Sequence, residues 1–375
     1  MRFTPQRLER VHRAMRNDDV RALVVTRRQD VQYLTGYHNP SDYLPVGCVL
    51  VQGKQPYILM SEFQQENTNQ EVKMARIRTI DNGSEDGHTQ GQGPAFWSSI
   101  QRLLEDHGVH SDMIGIQQEY LPIRGFEQLK DVLPDAGFKD ISQLLWRLRQ
   151  VKDNAEIEAI KQAAKIAEIG VRTALEIVVP GVSESSASIE IEAAMRAAGG
   201  QLRGIRAAVL SSNNARLPFA EPSARRIGHD DLVIVDITVS ESGYFAGVSR
   251  SLHTGNPSKE QNLAYESLVK ICSIAEDKMS SGIKISDVVG AIIKGLKKKA
   301  CQSGLIHPIG NSIGLDLQEP PILSATSNSV LREGMVFSVH PTCYIPGVGS
   351  ARTADVVLIS KDGAENITTV ARETM

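Results

Sequence analysis

The sequence predicts two domains in tandem, an α/β domain over residues 1–150 and a mixed α+β domain over residues 151–375. Three observations predict this. Short apolar, β-type runs alternate with amphipathic helical segments as far as about residue 145. A long helical period then opens near residues 148–155, where the pattern changes. Beyond it, strands and helices come in blocks instead of alternating. A chain of 375 residues is long enough to bury two ordinary cores.

Residues 4–18 form the first element, an amphipathic helix with Thr4 as its cap and Pro5 at its first position. "ALVVT" follows as a buried strand. "CVLVQG" and "PYILM" make a hairpin turned at Gly53-Lys54. "AFWSSIQRLLEDHGV" and "GFEQLKDVLP" read as helices, with the strand "MIGIQ" between them. Residues 81–94, "DNGSEDGHTQGQGP", have the composition of a surface loop, and their acidic and His residues lack metal-ligand spacing. In the second half, Ile157, Ile160, Ala164 and Ile166 line one face of a long helix stopped by Pro180-Gly181. Then come the strands "GIRAAVLSS" and "DLVIVDITVS", helices at about 258–280 and 286–303, and strands near 335–345 and 351–360.

Composition narrows the function classes. Hydrophobic residues make up 41% and charged residues 23%, as in globular proteins, and a net charge of −3 gives no general attraction for nucleic acid or anionic membranes. Arg225-Arg226 and Lys297-Lys298-Lys299 are short enough to be solvated faces. The cysteines at 48, 272, 301 and 343 show no CxxC or zinc spacing, and free thiols in a reducing cytoplasm are expected. No signal-like or membrane-spanning run is seen. Neither GxGxxG nor GxxxxGK[ST] occurs, so nucleotide chemistry has no support.

One stretch carries the chemistry. "LREGMVFSVHPTCYIPG", residues 331–347, is a glycine turn feeding a buried strand that delivers His340. Around it stand "DVQYLTGY" (30–37), "LRQVKDNAEIEAIKQAAKIAEIGV" (148–171), "VDITVSESGYFAGVSRSLHTG" (235–255), "HPIGNSIGLDLQEPP" (307–321) and "ARTADVVLIS" (351–360). In this order and at these distances, they resemble the creatinase/prolidase/aminopeptidase P family across essentially the whole chain. The resemblance implies an N-terminal creatinase-type α/β domain, a C-terminal pita-bread domain and a homodimer.

Peptidases of that family hold two divalent cations with two Asp, one His and two Glu, and the bridging water is the nucleophile. The first Asp matches Asp236. The second position is Gly247, the His position is Asn311, and the two Glu positions are His340 and Ala354. Four of the five ligands differ, so the resemblance implies a member without the dinuclear metal. Asp236, Asn311 and His340 would at most form a single weak site. The family's substrate-side His residues fall on Phe219 and Gln318. Creatinase, which works without metal, uses a His and two Glu that fall on Phe219, Ser249 and His340, so strict creatinase chemistry is not expected either.

What remains is polar. His340 is the candidate acid–base and Asp236 its partner. Arg352 is the candidate for holding a substrate carboxylate through a bidentate pair. Asn311, Phe219, Tyr244, Ser249, Gln318 and Cys343 are candidates for lining the substrate site, and Cys343 is a nucleophile only if its pKa is lowered. His307 is expected to pack or cap a loop. The expected function is a metal-independent, cofactor-free enzyme acting on a small carboxylate-bearing C–N compound. The alternative is a catalytically inactive homologue that binds a protein or small ligand.

Overall fold

A computed structural model describes residues 3–39, 44–66, 68, 72–80, 93–216, 220–296, 305–306, 308–345 and 349–372. Phe219, His307 and residues 81–92 of the expected loop lie outside the described residues. The chain divides into two compact units, Met1–Arg149 and Gln150–Met375.

In the first unit, α1 (Pro5–Asn17) starts where Thr4 accepts a hydrogen bond from the Arg7 amide, with proline at the first turn. β1 (Ala22–Val25) is followed by α2 (Arg28–Thr35), which ends on Gly36 at φ 78°. β2 (Val46–Val51) and β3 (Tyr57–Ser61) are the expected hairpin, with Gly53 also at φ 78° in the turn. Then come β4 (Arg76–Ile80), α3 (Pro94–Asp106), β5 (Met113–Ile116), α4 (Ile123–Val132), β6 (Gly137–Asp140) and α5 (Ser142–Gln150). The six strands form one mixed sheet in the order β4-β3-β2-β1-β5-β6. Its core includes Val49, Leu59, Trp97, Ile100, Leu104 and Ile114, all at most 1% exposed. The sequence pattern passed over β4 and β6. In β4, buried Ile80 follows four partly or fully exposed residues, and β6 buries nothing completely, so neither has a strong apolar signature.

The second unit opens with α6 (Asn154–Ile177), started by a reciprocal capping box between Asp153 and Glu156. After α7 (Glu184–Ala197), β7 (Arg206–Ser211), β8 (Leu232–Glu241) and β9 (Tyr244–His253) make an antiparallel three-stranded sheet, with α6 across β8 and β9. Helices α8 (Lys259–Lys278) and α9 (Ile285–Gly295) pack together through Leu268, Ile271, Val289 and Ile292. The remaining strands are β10 (Leu305–Ile306), β11 (Gly310–Ser312), β12 (Glu319–Ile322), β13 (Val336–Val339), β14 (Thr342–Ile345), β15 (Gly349–Arg352), β16 (Asp355–Ser360) and β17 (Gly363–Asn366).

These eight strands build two sheets, ordered β12-β11-β13-β16-β17 and β10-β14-β15. The single strand read at 335–345 is therefore two. β13 belongs to one sheet and β14 to the other, with His340-Pro341 at the break. The run at 351–360 divides likewise at Thr353-Ala354, between β15 and β16. Pro341 cannot donate a ladder hydrogen bond, which favours leaving the first sheet there. The two corners meet, since the Thr353 amide bonds the Pro341 carbonyl at 3.3 Å. His340 and Arg352 thus stand where the two sheets part.

Candidate functional site

β9 closes the corner from the third side. Ser249 and Ala354 exchange backbone hydrogen bonds at 3.0 and 3.2 Å, forming an isolated bridge between β9 and the β15–β16 corner. The Ser251 hydroxyl receives the Arg352 amide at 2.8 Å and donates to its carbonyl at 2.9 Å, which fixes that residue's backbone. On β8, Asp236 sits directly opposite Ser249. Three sheets thereby bring Asp236, Ser249, His340 and Arg352 to one place.

The side chains connect in a defined way. The buried Ser249 hydroxyl donates to Asp236 Oδ1. Arg352 Nε stands 3.4 Å from the same oxygen, close enough for an ion pair but without a hydrogen bond. Both charged side chains keep some contact with solvent, Arg352 31% and Asp236 21%. His340 Nε2 lies 2.9 Å from Asn311 Oδ1. The Asn311 amide nitrogen donates to the carbonyls of Ser312 at 2.7 Å and Leu317 at 3.0 Å. That orientation makes Oδ1 an acceptor, so His340 carries its proton on Nε2 and leaves Nδ1 as the ring's basic nitrogen.

Burial, then the positive charge of Arg352, lowers the His340 pKa to about 4; a backbone hydrogen bond and Asp236 pull less strongly the other way. The ring is therefore neutral at pH 7 in the unliganded protein. Sequence position alone did not reveal that the candidate acid–base would be buried beside a guanidinium.

Other expected site residues lie differently. The Tyr244 hydroxyl is buried and donates to Glu156 Oε1 at 2.9 Å, tying β9 to the start of α6. Gln318 is exposed beside Leu317, whose carbonyl Asn311 holds. Cys343 is disulfide-bonded and buried among the residues of the α8–α9 core. This corrects both the expectation of four free thiols and its candidacy as a nucleophile or substrate-binding thiol, since a bonded sulfur has no thiolate to offer. Cys48 and Cys272 are buried free thiols, and burial pushes both pKa values up.

The donor set does not fit the family's dinuclear metal. Gly247 has room for a side chain, the nearest atom to an added Cβ being the Ile237 carbonyl oxygen at 3.4 Å, but it supplies no ligand atom. Ala354 supplies none either. The Asn311 amide is engaged on both sides, and Asp236 already faces a hydroxyl and a guanidinium. Among the described residues, no group of three or more His, Cys, Asp or Glu is assembled for a metal ion.

Residues 158–361 match the model of metallopeptidase family M24, and residues 7–151 match the creatinase/prolidase N-terminal domain. The chain belongs to this family, the creatinase/prolidase/aminopeptidase P group, and its C-terminal unit has the pita-bread fold. The Xaa-Pro dipeptidase of Pyrococcus furiosus is 25% identical over 370 residues, covering 98% of this chain and 99% of that protein. The solved prolidase of Pyrococcus horikoshii OT3 superposes with a TM-score of 0.85 at 23% identity, covering 99% of this chain and all of that one. The N-terminal domain of the FACT complex subunit SPT16 from chickpea superposes at 0.75 with 19% identity, covering 98% of this chain and 96% of that one. Among the described residues, no helix is long and apolar enough to cross a membrane.

Sequence reasoning missed Ser251, which was invisible because its role is to fix the Arg352 backbone.

Proposed function

We propose that this protein is a metal-independent member of the family that binds a small carboxylate-bearing C–N compound at Arg352 and transfers a proton through His340. The observation that carries the reading is the Arg352 guanidinium. It is partly open to solvent, makes no side-chain hydrogen bond among the described residues, and is balanced only by an Asp236 oxygen that Ser249 also holds. A carboxylate offers this fork the hydrogen bonds it lacks.

Binding also prepares the base. A carboxylate on Arg352 neutralises the charge that helps depress His340, so the imidazole pKa rises towards the range useful for general catalysis. Asp236 then stabilises the imidazolium. The reaction class open to these groups is hydrolysis, elimination or rearrangement at a C–N bond, with Nδ1 accepting and returning the proton. The proposal includes a homodimer and no nucleic-acid partner.

The test is a thermal-shift and turnover panel of amino acids, imino acids, guanidino compounds and betaines, with and without divalent metals. A ligand at 100 times its Kd adds about 2.7 kcal/mol to stability, an easily read shift. A carboxylate that raises Tm in the wild type but not in Arg352→Gln is the expected result. Xaa-Pro cleavage that requires added Mn²⁺ or Zn²⁺ would overturn metal independence.

A second reading is a catalytically inactive homologue that only binds. It is favoured by the withdrawn basicity of His340 and by the occurrence of this fold in the FACT subunit SPT16. Ligand binding without turnover, unaffected by His340→Gln, would select it.

A further inference from the structure

Arg216 ends the short helical turn Asn214–Arg216, which packs beside β8 and β15. It is exposed, and its guanidinium reaches the Tyr344 hydroxyl at 3.2 Å and Asn213 Oδ1 at 3.3 Å. The same group lies 5.9 Å from the centre of the Tyr344 ring. Neither partner is charged, and among the described residues no carboxylate pairs with Arg216. The charge is thus held in place and left uncompensated.

Strand geometry relates it to Arg352. In the β14–β15 ladder, Thr342 is opposite Arg352 and Tyr344 is opposite Ser350. Thr342 and Tyr344 are two residues apart, so both project from the face that carries Arg352, offset by about 6–7 Å along the strand. Two arginines therefore address one face of this ribbon, one inside the corner and one at its rim. The only carboxylate among the expected site residues is Asp236, already shared between Ser249 and Arg352.

We infer that the ligand of this site is a small dianion, with one carboxylate on Arg352 and a second on Arg216. The inference rests on the proposal that Arg352 binds a carboxylate, and it narrows the substrate class from monocarboxylates to dicarboxylates. Tyr344 positions the outer arginine by accepting its hydrogen bond and presenting its ring.

The test compares succinate, glutarate and adipate, each against its own monoamide, by calorimetry on the full-length protein. Each pair differs by a single charge. At least one of the three diacids is expected to bind on the order of tenfold more tightly than its monoamide, as one added charge-assisted contact provides. Arg216→Gln should reduce that ratio to about one, the diacid losing more affinity than its monoamide. Tyr344→Phe, which keeps the ring but removes the hydrogen-bond acceptor, should lower the ratio partway. Equal affinity for diacid and monoamide in the wild type, with both lost in Arg352→Gln, would overturn the dianion and leave the carboxylate site standing. A diacid preference that survives Arg216→Gln would also overturn it. Binding of all six compounds unaffected by Arg352→Gln, or no binding at all, would overturn the carboxylate site itself and the dianion with it.

Discussion

Two arginine–aspartate pairs stand on neighbouring strands of the second unit, and they are built in opposite ways. Arg250 is 2% exposed and donates to Asp355 at 2.8 Å, to the Ser249 and Ala354 carbonyls at 2.8 and 2.9 Å, and to Val370 and Ala371 at 2.6 and 3.0 Å. Asp355 in turn takes Arg372 at 2.6 Å and the Thr368 hydroxyl at 2.8 Å. Arg352 stands two residues after Ser350, the partner of Tyr344, yet among the described residues it has one ion pair at 3.4 Å and no side-chain hydrogen bond. A guanidinium with every donor matched is a structural rivet. One with unmatched donors at a solvent-reachable corner is available to a ligand.

The largest expected effect tests the saturated pair. Arg250→Ala leaves Asp355 buried beside four carbonyls that lose the guanidinium's hydrogen bonds, and it releases residues 370–371. A loss of 3–5 kcal/mol is expected, on the order seen when one partner of a buried pair is removed. Arg352→Ala should cost under about 1 kcal/mol, as for partly exposed pairs. Urea denaturation of both variants checks the contrast. Comparable losses would mean that Arg352 is a structural group after all.

Glu184 extends the comparison to the segment that carries Arg216. This buried carboxylate accepts from the Ser211 amide and hydroxyl, both at 2.7 Å, from Asn214 at 2.7 Å, and from the Ser223 amide and hydroxyl at 3.0 and 2.7 Å. Burial opposes its ionisation, but the hydrogen bonds led by the Ser211 and Ser223 hydroxyls outweigh it and lower its pKa. Its contribution is present above the unfolded carboxyl pKa and is lost as pH falls through the lower folded value. Glu184→Gln, which turns an acceptor oxygen into a donor facing these donors, should cost about 2 kcal/mol at pH 7. The difference from wild type should shrink below the ordinary carboxyl range. A pH-independent difference would remove the charge from the explanation.

How much of this was legible follows from what each feature requires. Strong apolar strands and capped helices, such as α1, β1–β3, α6 and α8, are local and could be read directly. The resemblance placed Asp236, Asn311, His340 and Arg352 in one site. The division of residues 335–345 between two sheets was not legible, because it depends on which partners each half finds, though Pro341 marks the break. Nor could the sequence show that Tyr244 would turn to Glu156 or that Cys343 would be disulfide-bonded. Those outcomes are set by residues far away in the chain. The perturbed titration of His340 is of the same kind, arising first from burial and then from an arginine twelve positions on.

That titration supplies the smallest and most selective test. The folded ring resists protonation down to about pH 4, whereas an unfolded histidine takes up a proton near pH 6.5. The unfolded state therefore binds more protons between these values, and stability falls as pH drops from about 6.5 to about 4, with no further loss from this group below that. His340→Gln should flatten this window by about 1 kcal/mol, less than the full value of such a shift because solvent still reaches the ring. Arg352→Gln should move the lower end of the window upwards, since the second cause of the depression is gone. A saturating carboxylate ligand should do the same to the wild type by neutralising the guanidinium. If neither changes the pH dependence, Arg352 and His340 are not electrostatically linked, and carboxylate binding cannot be what restores basicity to the imidazole.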